Sequence, residues 1–310
     1  MSLGLVGCGP SVTGGDITPG PNDPETGPLP GDTGPCTRMD LVFVIDDSGS
    51  MGEEQENLRD NFASFAALLQ DYRNPEGEAV DFRIAVTTTG RDINFFVDPN
   101  PPFPIPGLPP QPLMPMNEDG DNGAFRKKCG MSQRWIDGNA ANMSDTLECL
   151  AEVGTNGPSI EMPLMMSTWA LQERVADGTN AGFLRDDALL GIVMLTDEND
   201  CSRTDNGFTL GGDDGECGED AQLQTVPQTI AKLDEVKQGR GRWAAAVIAG
   251  LSDCSSDFGN AVEATRLKDF AAEAGDNVIT HSICDGSLTE ALEAALDTFT
   301  EACEVFPGPS

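Results

Sequence analysis

Between residues 41 and 302, short apolar runs of strand length alternate with longer segments of helical period. This alternation constrains the fold most. Strand, helix and strand in series build right-handed crossovers and a parallel sheet covered by helices. The first run is the most informative. Residues 41–45, LVFVI, are five consecutive apolar residues rich in β-branched types, the mark of a strand buried on both faces. It ends in Asp46-Asp47-Ser48-Gly49-Ser50, and a helical pattern begins at about Glu53. Asp46, Ser48 and Ser50 therefore lie on a tight turn between a strand's carboxyl end and a helix's amino end, where open α/β sheets place their binding sites. Carboxylate and hydroxyl oxygens are hard ligands that suit Mg²⁺, Mn²⁺ or Ca²⁺ rather than zinc. The same residue types also suit a helix N-cap. A second acidic strand end further along favours the metal: the buried run at 188–196, ALLGIVMLT, stops at Asp197-Glu198-Asn199-Asp200.

The remaining elements follow from periodicity. Residues 53–72 read as a helix with Leu58, Phe62, Phe65, Leu69 and Tyr72 on its core face. Glu53, Glu54 and Glu56 crowd its first turn, where the helix dipole favours acids. Strands are expected at 82–88, 243–249 and 278–283, and helices at 159–175, 221–237, 259–274 and 287–302. Residues 97–117 hold nine prolines, a density that argues against any strand or helix there. The span 97–150 is expected to be an irregular insertion, with its Pro-rich part either packed on the domain or offered as a lip to a partner.

The formal charge is −34, with 18 Lys plus Arg against 52 Asp plus Glu. That argues against nucleic acid or an anionic membrane surface as a partner. The single histidine, His281, removes most zinc sites and His-dependent nucleophile schemes. Nine cysteines are many for a reducing compartment. Setting Cys8 apart leaves eight, an even number. Eight cysteines allow about 105 connectivities; the expectation adopted pairs near neighbours, Cys129 with Cys149, Cys201 with Cys217 and Cys254 with Cys284, with Cys36 and Cys303 clasping the domain ends. A loop that long gives a chain-entropy stabilisation of roughly 5 kcal/mol. Residues 9–37 are mostly Gly, Pro, Thr, Asp and Ser and read as a disordered tether reaching on the order of 80 Å if extended. The domain then covers 38–305, with a short tail at 306–310.

Asp-x-Ser-x-Ser after an apolar strand, with Asp197 at a second strand end, resembles the metal-ion-dependent adhesion site of von Willebrand factor type A domains. The likeness spans residues 38–305. It implies a doubly wound, Rossmann-like α/β fold with a mainly parallel sheet between two helical layers. It also implies a metal set of Asp46, Ser48, Ser50, Thr155 and Asp197 drawn from three loops. Ser159 is a substitute for Thr155, because the family's threonine stands nearer its helix. Glu198 stands where the family more often has Gly and adds a further possible ligand. The implied activity is binding rather than catalysis: Mg²⁺, or Mn²⁺ or Ca²⁺, completes its coordination with an acidic residue of a partner protein. Two alternatives stay open, a metal-dependent hydrolase of phosphatase type at the same sheet edge and a disulfide-braced scaffold. At residues 1–8, Leu5-Val6-Gly7-Cys8 resembles the end of a bacterial lipobox. That implies a lipidated Cys8 as the only membrane attachment and display on the cell envelope.

Overall fold

The computed structural model describes residues 35–307 apart from 75, 101, 102, 104, 108, 212–216, 218–221, 257, 258, 286 and 287. In chain order the elements are β1 (Arg38–Ile45), α1 (Gly52–Asp71), β2 (Asp81–Thr88), β3 (Ile93–Val97), β4 (Met114–Glu118), β5 (Ile136–Asp137), α2 (Met143–Ala151), α3 (Pro163–Leu171), α4 (Glu173–Ala176), β6 (Leu189–Leu195), β7 (Phe208–Leu210), α5 (Val226–Lys237), β8 (Trp243–Ala249), β9 (Cys254–Ser256), β10 (Gly259–Ala261), α6 (Thr265–Ala274), β11 (Val278–Ser282) and α7 (Leu288–Glu304). Cys8, the segment 9–34, and Asp213, Asp214, Glu216, Glu219 and Asp220 lie outside the described residues.

Successive side chains of β1 point to opposite faces, and both faces are buried. Leu41, Phe43 and Ile45 pack with residues of α1, α2 and α7; Val42 and Val44 pack with residues of α3, α5 and α6. A strand apolar at both parities belongs inside a three-layer sandwich. The central sheet has the order β11-β8-β6-β1-β2-β5, with every pair parallel except β2 with β5. The chain moves outward from β1 through β2, then returns to β1's other side at β6 and continues through β8 to β11. The winding therefore reverses between β1 and β6. This is the doubly wound α/β fold, and β1/β6 is its switch point, where such sheets bind ligands.

Several boundaries depart from the sequence expectation. The span 97–150 is irregular over much of its length but carries β4, β5 and α2. β4, which contains Pro115, pairs antiparallel with β3, and β7 joins them in a separate three-stranded sheet. β4 tolerates its proline because it is an edge strand. α2 also lies within this span, with Met143, Leu147, Leu150 and Ala151 buried at helical spacing. Residues 259–261 are strand rather than helix, paired with β9, and α6 starts only at Thr265. α3 starts at Pro163 rather than near 159, since proline fits the first turn of a helix. α5 starts at Val226 behind a capping box of Thr225 and Gln228.

All four expected disulfides form: Cys36–Cys303, Cys129–Cys149, Cys201–Cys217 and Cys254–Cys284. Four such bridges fit an oxidising, extracytoplasmic setting. Among the described residues no helix is long and apolar enough to cross a membrane.

Candidate metal centre

The site is built where β1 and β6 end side by side. Parallel pairing sets Ile45 against Leu195, and the amide of Asp46 donates to the carbonyl of Leu195 at 2.9 Å. The two acidic strand ends are thereby locked together. Asp46 is fully buried, and both of its carboxylate oxygens accept hydrogen bonds. Oδ1 accepts from the Ser48 amide at 2.8 Å and Oδ2 from the Thr196 hydroxyl at 2.5 Å. The Ser48 and Ser50 hydroxyls lie 2.9 Å apart, and Ser50 Oγ donates to Asp197 Oδ1 at 3.3 Å. Asp46, Ser48, Ser50 and Asp197 thus form one chain of hard oxygens across two loops. Asp46, Ser48 and Asp197 are buried, whereas Ser50 is exposed and opens the set to solvent.

The second loop arrives beside Asp47. The Gly157 amide donates to the Asp47 carbonyl at 2.7 Å. A Cβ on Gly157 would fall 2.1 Å from Asp47 Oδ1, so only glycine permits this approach. Thr155 stands two residues earlier, half-buried and outside the hydrogen-bonded chain. Ser159 faces elsewhere: its amide and hydroxyl both donate to Glu118 at the end of β4, each at 2.9 Å. Asp200 is structural. Fully buried, it pairs with Arg266 at 3.0 Å and accepts the Leu164 amide of α3 at 3.0 Å. That bond joins the third loop to the helix after the second loop. Beside Asp47 a cleft of about 410 Å³ opens, with Asp121, Arg126 and Asn156 in its wall. Arg126 lies 3.8 Å from Asp47 and 3.2 Å from Asp121.

The electrostatics fit a cation. Burial pushes the Asp46 carboxyl up to about 6, against the pull of hydrogen bonds from Thr196 and Ser48. Burial, then the neighbouring Asp46, pushes Asp197 to about 7. Burial and then Asp121 take Asp47 to about 7, although Arg126 opposes the rise. Glu54 and Glu161 are raised as well, burial being the first cause in both. The charge of Asp46 raises Glu54, Glu161 and Asp197, and that of Glu198 raises Asp46, Glu161 and Asp197. Among the described residues no lysine, arginine or histidine pairs with any of them. Buried oxygens of Glu54, Glu161 and Glu198 have no hydrogen-bond donor. Such a set is unfavourable when ionised alone and favourable around a positive charge. Among the described residues no three acid, imidazole or thiol side chains converge in cation geometry. A cation at the strand ends would therefore depend on the Ser48 and Ser50 hydroxyls as much as on Asp46 and Asp197.

Three residues escaped the sequence reading. Thr196, next to Asp197, orients Asp46. Glu54 is 2 % exposed and reaches Gly259, which places it at the site rather than free on a helix end. Glu161 lies just before α3 in no periodic motif. Only Thr196 carried a usable signal, a hydroxyl at the end of a buried strand.

No family model and no curated protein matches the sequence. Among solved structures the chain is similar to proximal thread matrix protein 1 of the mussel byssus, with a TM-score of 0.42 at 11% identity over 86% of this chain and 49% of that one. It is similar to the pilus adhesin SpaC of Lactobacillus rhamnosus GG, at 0.41 and 14% over 85% and 30%. It is also similar to the manganese-loaded TRAP protein of Plasmodium vivax, at 0.36 and 11% over 86% and 74%. The chain thus spans about half of the first of these proteins and under a third of the second. Likenesses at these scores decide nothing about chemistry; the fold rests on the strand order and the site on its own residues.

Proposed function

We propose that this chain is a divalent-cation-dependent protein-binding module of the von Willebrand factor A type, displayed on the cell envelope and acting by binding rather than turnover. One observation carries the reading. The Ser48 amide donates to the buried Asp46, the Ser48 hydroxyl meets that of Ser50, and Ser50 donates to the buried Asp197 while staying open to solvent. Asp46, Ser48, Ser50 and Asp197 hold the cation in this reading, and Thr155 joins them. Mg²⁺, or Mn²⁺ or Ca²⁺ in its place, supplies a Lewis-acidic point to which a partner's carboxylate can bind. Thr196 and the Ser48 amide keep both oxygens of Asp46 oriented, so the neutral hydroxyls need not reorganise. The cleft beside Asp47 gives an approaching chain room. The net charge of −34 would otherwise repel an acidic segment, so binding is expected to depend on the ion. Lipidation at Cys8 and the 9–37 tether would hold the domain away from a bacterial membrane.

The four disulfides favour a second reading, a braced scaffold with no need of an ion. Capture from envelope extract separates the two. The wild-type domain and the Ser48→Ala/Ser50→Ala variant are each used in Mg²⁺ and again in EDTA. The proposal expects partners held by wild type in Mg²⁺ and lost in EDTA and in the variant. Capture that is indifferent to both changes supports the scaffold and overturns the cation-dependent module.

A further inference from the structure

We propose that the β3–β4 hairpin is a docking surface of its own, on which a partner protein seats an aromatic-lined, proline-binding groove. Among the described residues, six of the eight exposed large apolar side chains belong to it: Phe96, Phe103, Ile105, Leu113, Met114 and Met116. Residues 109–117, PPQPLMPMN, are exposed throughout. Apolar surface gathered in this way on one segment marks an interaction site. No charged residue occurs from 99 to 117, in a chain whose net charge is −34.

The hairpin is rooted and its outer arm is shaped in advance. Phe95 of β3 is buried and stacks on Phe208 of β7 at 5.5 Å. Between the arms, the Asn100 side chain accepts the Gln111 amide at 2.6 Å and donates to the Gln111 carbonyl at 2.8 Å. The Asp98 carboxylate accepts from that same side chain at 2.6 Å. Proline fixes its own φ and confines the residue before it to extended backbone. All four positions from Pro109 to Pro112 are one or the other, so this arm is committed to polyproline II. With three residues per turn, Pro109 and Pro112 share one ridge and Pro110 and Leu113 the next. Gln111 holds the third position, and it is the residue tied back to Asn100.

Three kinds of occupant compete for such a surface. Strand addition by a second copy is blocked at the edge. Asn94 turns its backbone toward β7, donating to Asn206 Oδ1 at 2.6 Å and accepting the Gly207 amide at 2.7 Å. Its cross-strand partner Asn117 therefore faces the open edge of β4, and so does Pro115, which has no N–H to offer there. A membrane interior suits the arm poorly, because the proline carbonyls are acceptors and hydrocarbon supplies no donor. A groove of Trp and Tyr meets both needs, with ring faces for the ridges and indole N–H or phenol O–H for the carbonyls. Asp98 at one end of the uncharged run and Glu118 and Asp119 at the other call for a basic rim on that groove.

The hairpin leaves the same sheet edge as the ion site. Thr88, which ends β2, pairs with Ile45, and Asp119 and Asp121, just past β4, line the cleft beside Asp47. That one partner spans both places rests on the proposed cation-dependent reading; the groove contact does not.

The test begins with capture from envelope extract by wild type and by Pro109→Ala/Pro112→Ala, each in Mg²⁺ and in EDTA. A synthetic peptide of residues 109–117, which contains no Trp or Tyr, is then titrated into the purified captured protein while that protein's own aromatic emission is followed. The proline variant should retain about tenfold less partner while its Mn²⁺ uptake is unchanged. The peptide should shift the emission equally in Mg²⁺ and EDTA, and a peptide with both alanines should bind about tenfold more weakly. Equal capture by the two chains, or a silent titration, overturns the groove. Capture that is indifferent to EDTA but lost in the proline variant keeps the groove and removes the ion site. Flotation of wild type with phosphatidylcholine–phosphatidylglycerol vesicles, abolished in Phe103→Ser/Ile105→Ser, assigns the surface to a membrane and overturns the proposal. A dimer in sedimentation that the same variant abolishes assigns it to a second copy and overturns the proposal as well.

Discussion

In chelating buffer the folded protein should lose stability as the pH rises from about 4 to about 7, and Mg²⁺ should cancel the loss. The reason lies in Asp46, whose carboxyl is carried by burial from 3.8 to about 6. An acid whose folded value lies above its unfolded value holds its proton more tightly when folded. Below the unfolded value both states are protonated and nothing is lost. As the pH passes the folded value, the buried group must ionise, and the difference amounts to about 3 kcal/mol. Asp47 and Asp197, each pushed to about 7, act in the same direction. For a domain of this size, 3 kcal/mol corresponds to a fall in Tm of roughly 6–10 °C. A bound divalent ion reverses the preference, because it requires the carboxylate, so the stability gained from Mg²⁺ should grow with pH. The assay is urea unfolding with disulfides intact, in EDTA and in Mg²⁺, for wild type and Asp46→Asn. Subtracting the variant's curve removes acids whose values are lowered, such as Asp205 and Asp234. A flat or rising difference curve in EDTA, or no gain from Mg²⁺ at neutral pH, refutes the reasoning.

Three further outcomes follow from single contacts. Thr196→Val removes the donor to Asp46 Oδ2 and should weaken Mn²⁺ binding about tenfold by calorimetry while leaving the far-UV spectrum unchanged. Arg266→Ala leaves the buried Asp200 without its ion pair and should cost about 3–5 kcal/mol in denaturant unfolding. Cys36→Ser with Cys303→Ser opens a loop of 267 residues and should lower stability by about 5 kcal/mol without altering metal affinity, because Cys36 precedes β1 and Asp46 follows that strand's opposite end.

The central architecture was legible because buried parallel strands leave a local signature. Leu41 to Ile45, the run at 188–196 and WAAAVIA in β8 are each continuously apolar, and the winding follows from what separates them. Asp46, Ser48, Ser50 and Asp197 were legible for the same reason, since each lies within a few residues of a strand end. Glu161 was not. Its burial is a tertiary result, produced by the Cys201 and Thr89 backbone contacts that pull the second loop inward. Nothing in the PSIEMP segment distinguishes it from a solvated turn. The β3–β4 hairpin was hidden by proline density, because residue counts do not reveal that Pro115 stands on an edge. The short β9–β10 pair was mistaken for the start of a helix because three-residue strands have no period to detect. Ser159 satisfied the expected spacing to a helix, yet Glu118, brought in by that hairpin, takes its hydroxyl.

The most direct measurement is a calorimetric titration of Mn²⁺ into the metal-free domain and into Asp46→Ala/Ser48→Ala. Wild type should take up the ion at the strand-end site, and the double variant should lose that uptake while keeping its fold. Equal affinity and equal stoichiometry in the two proteins would contradict the assignment of the ion to the ends of β1 and β6.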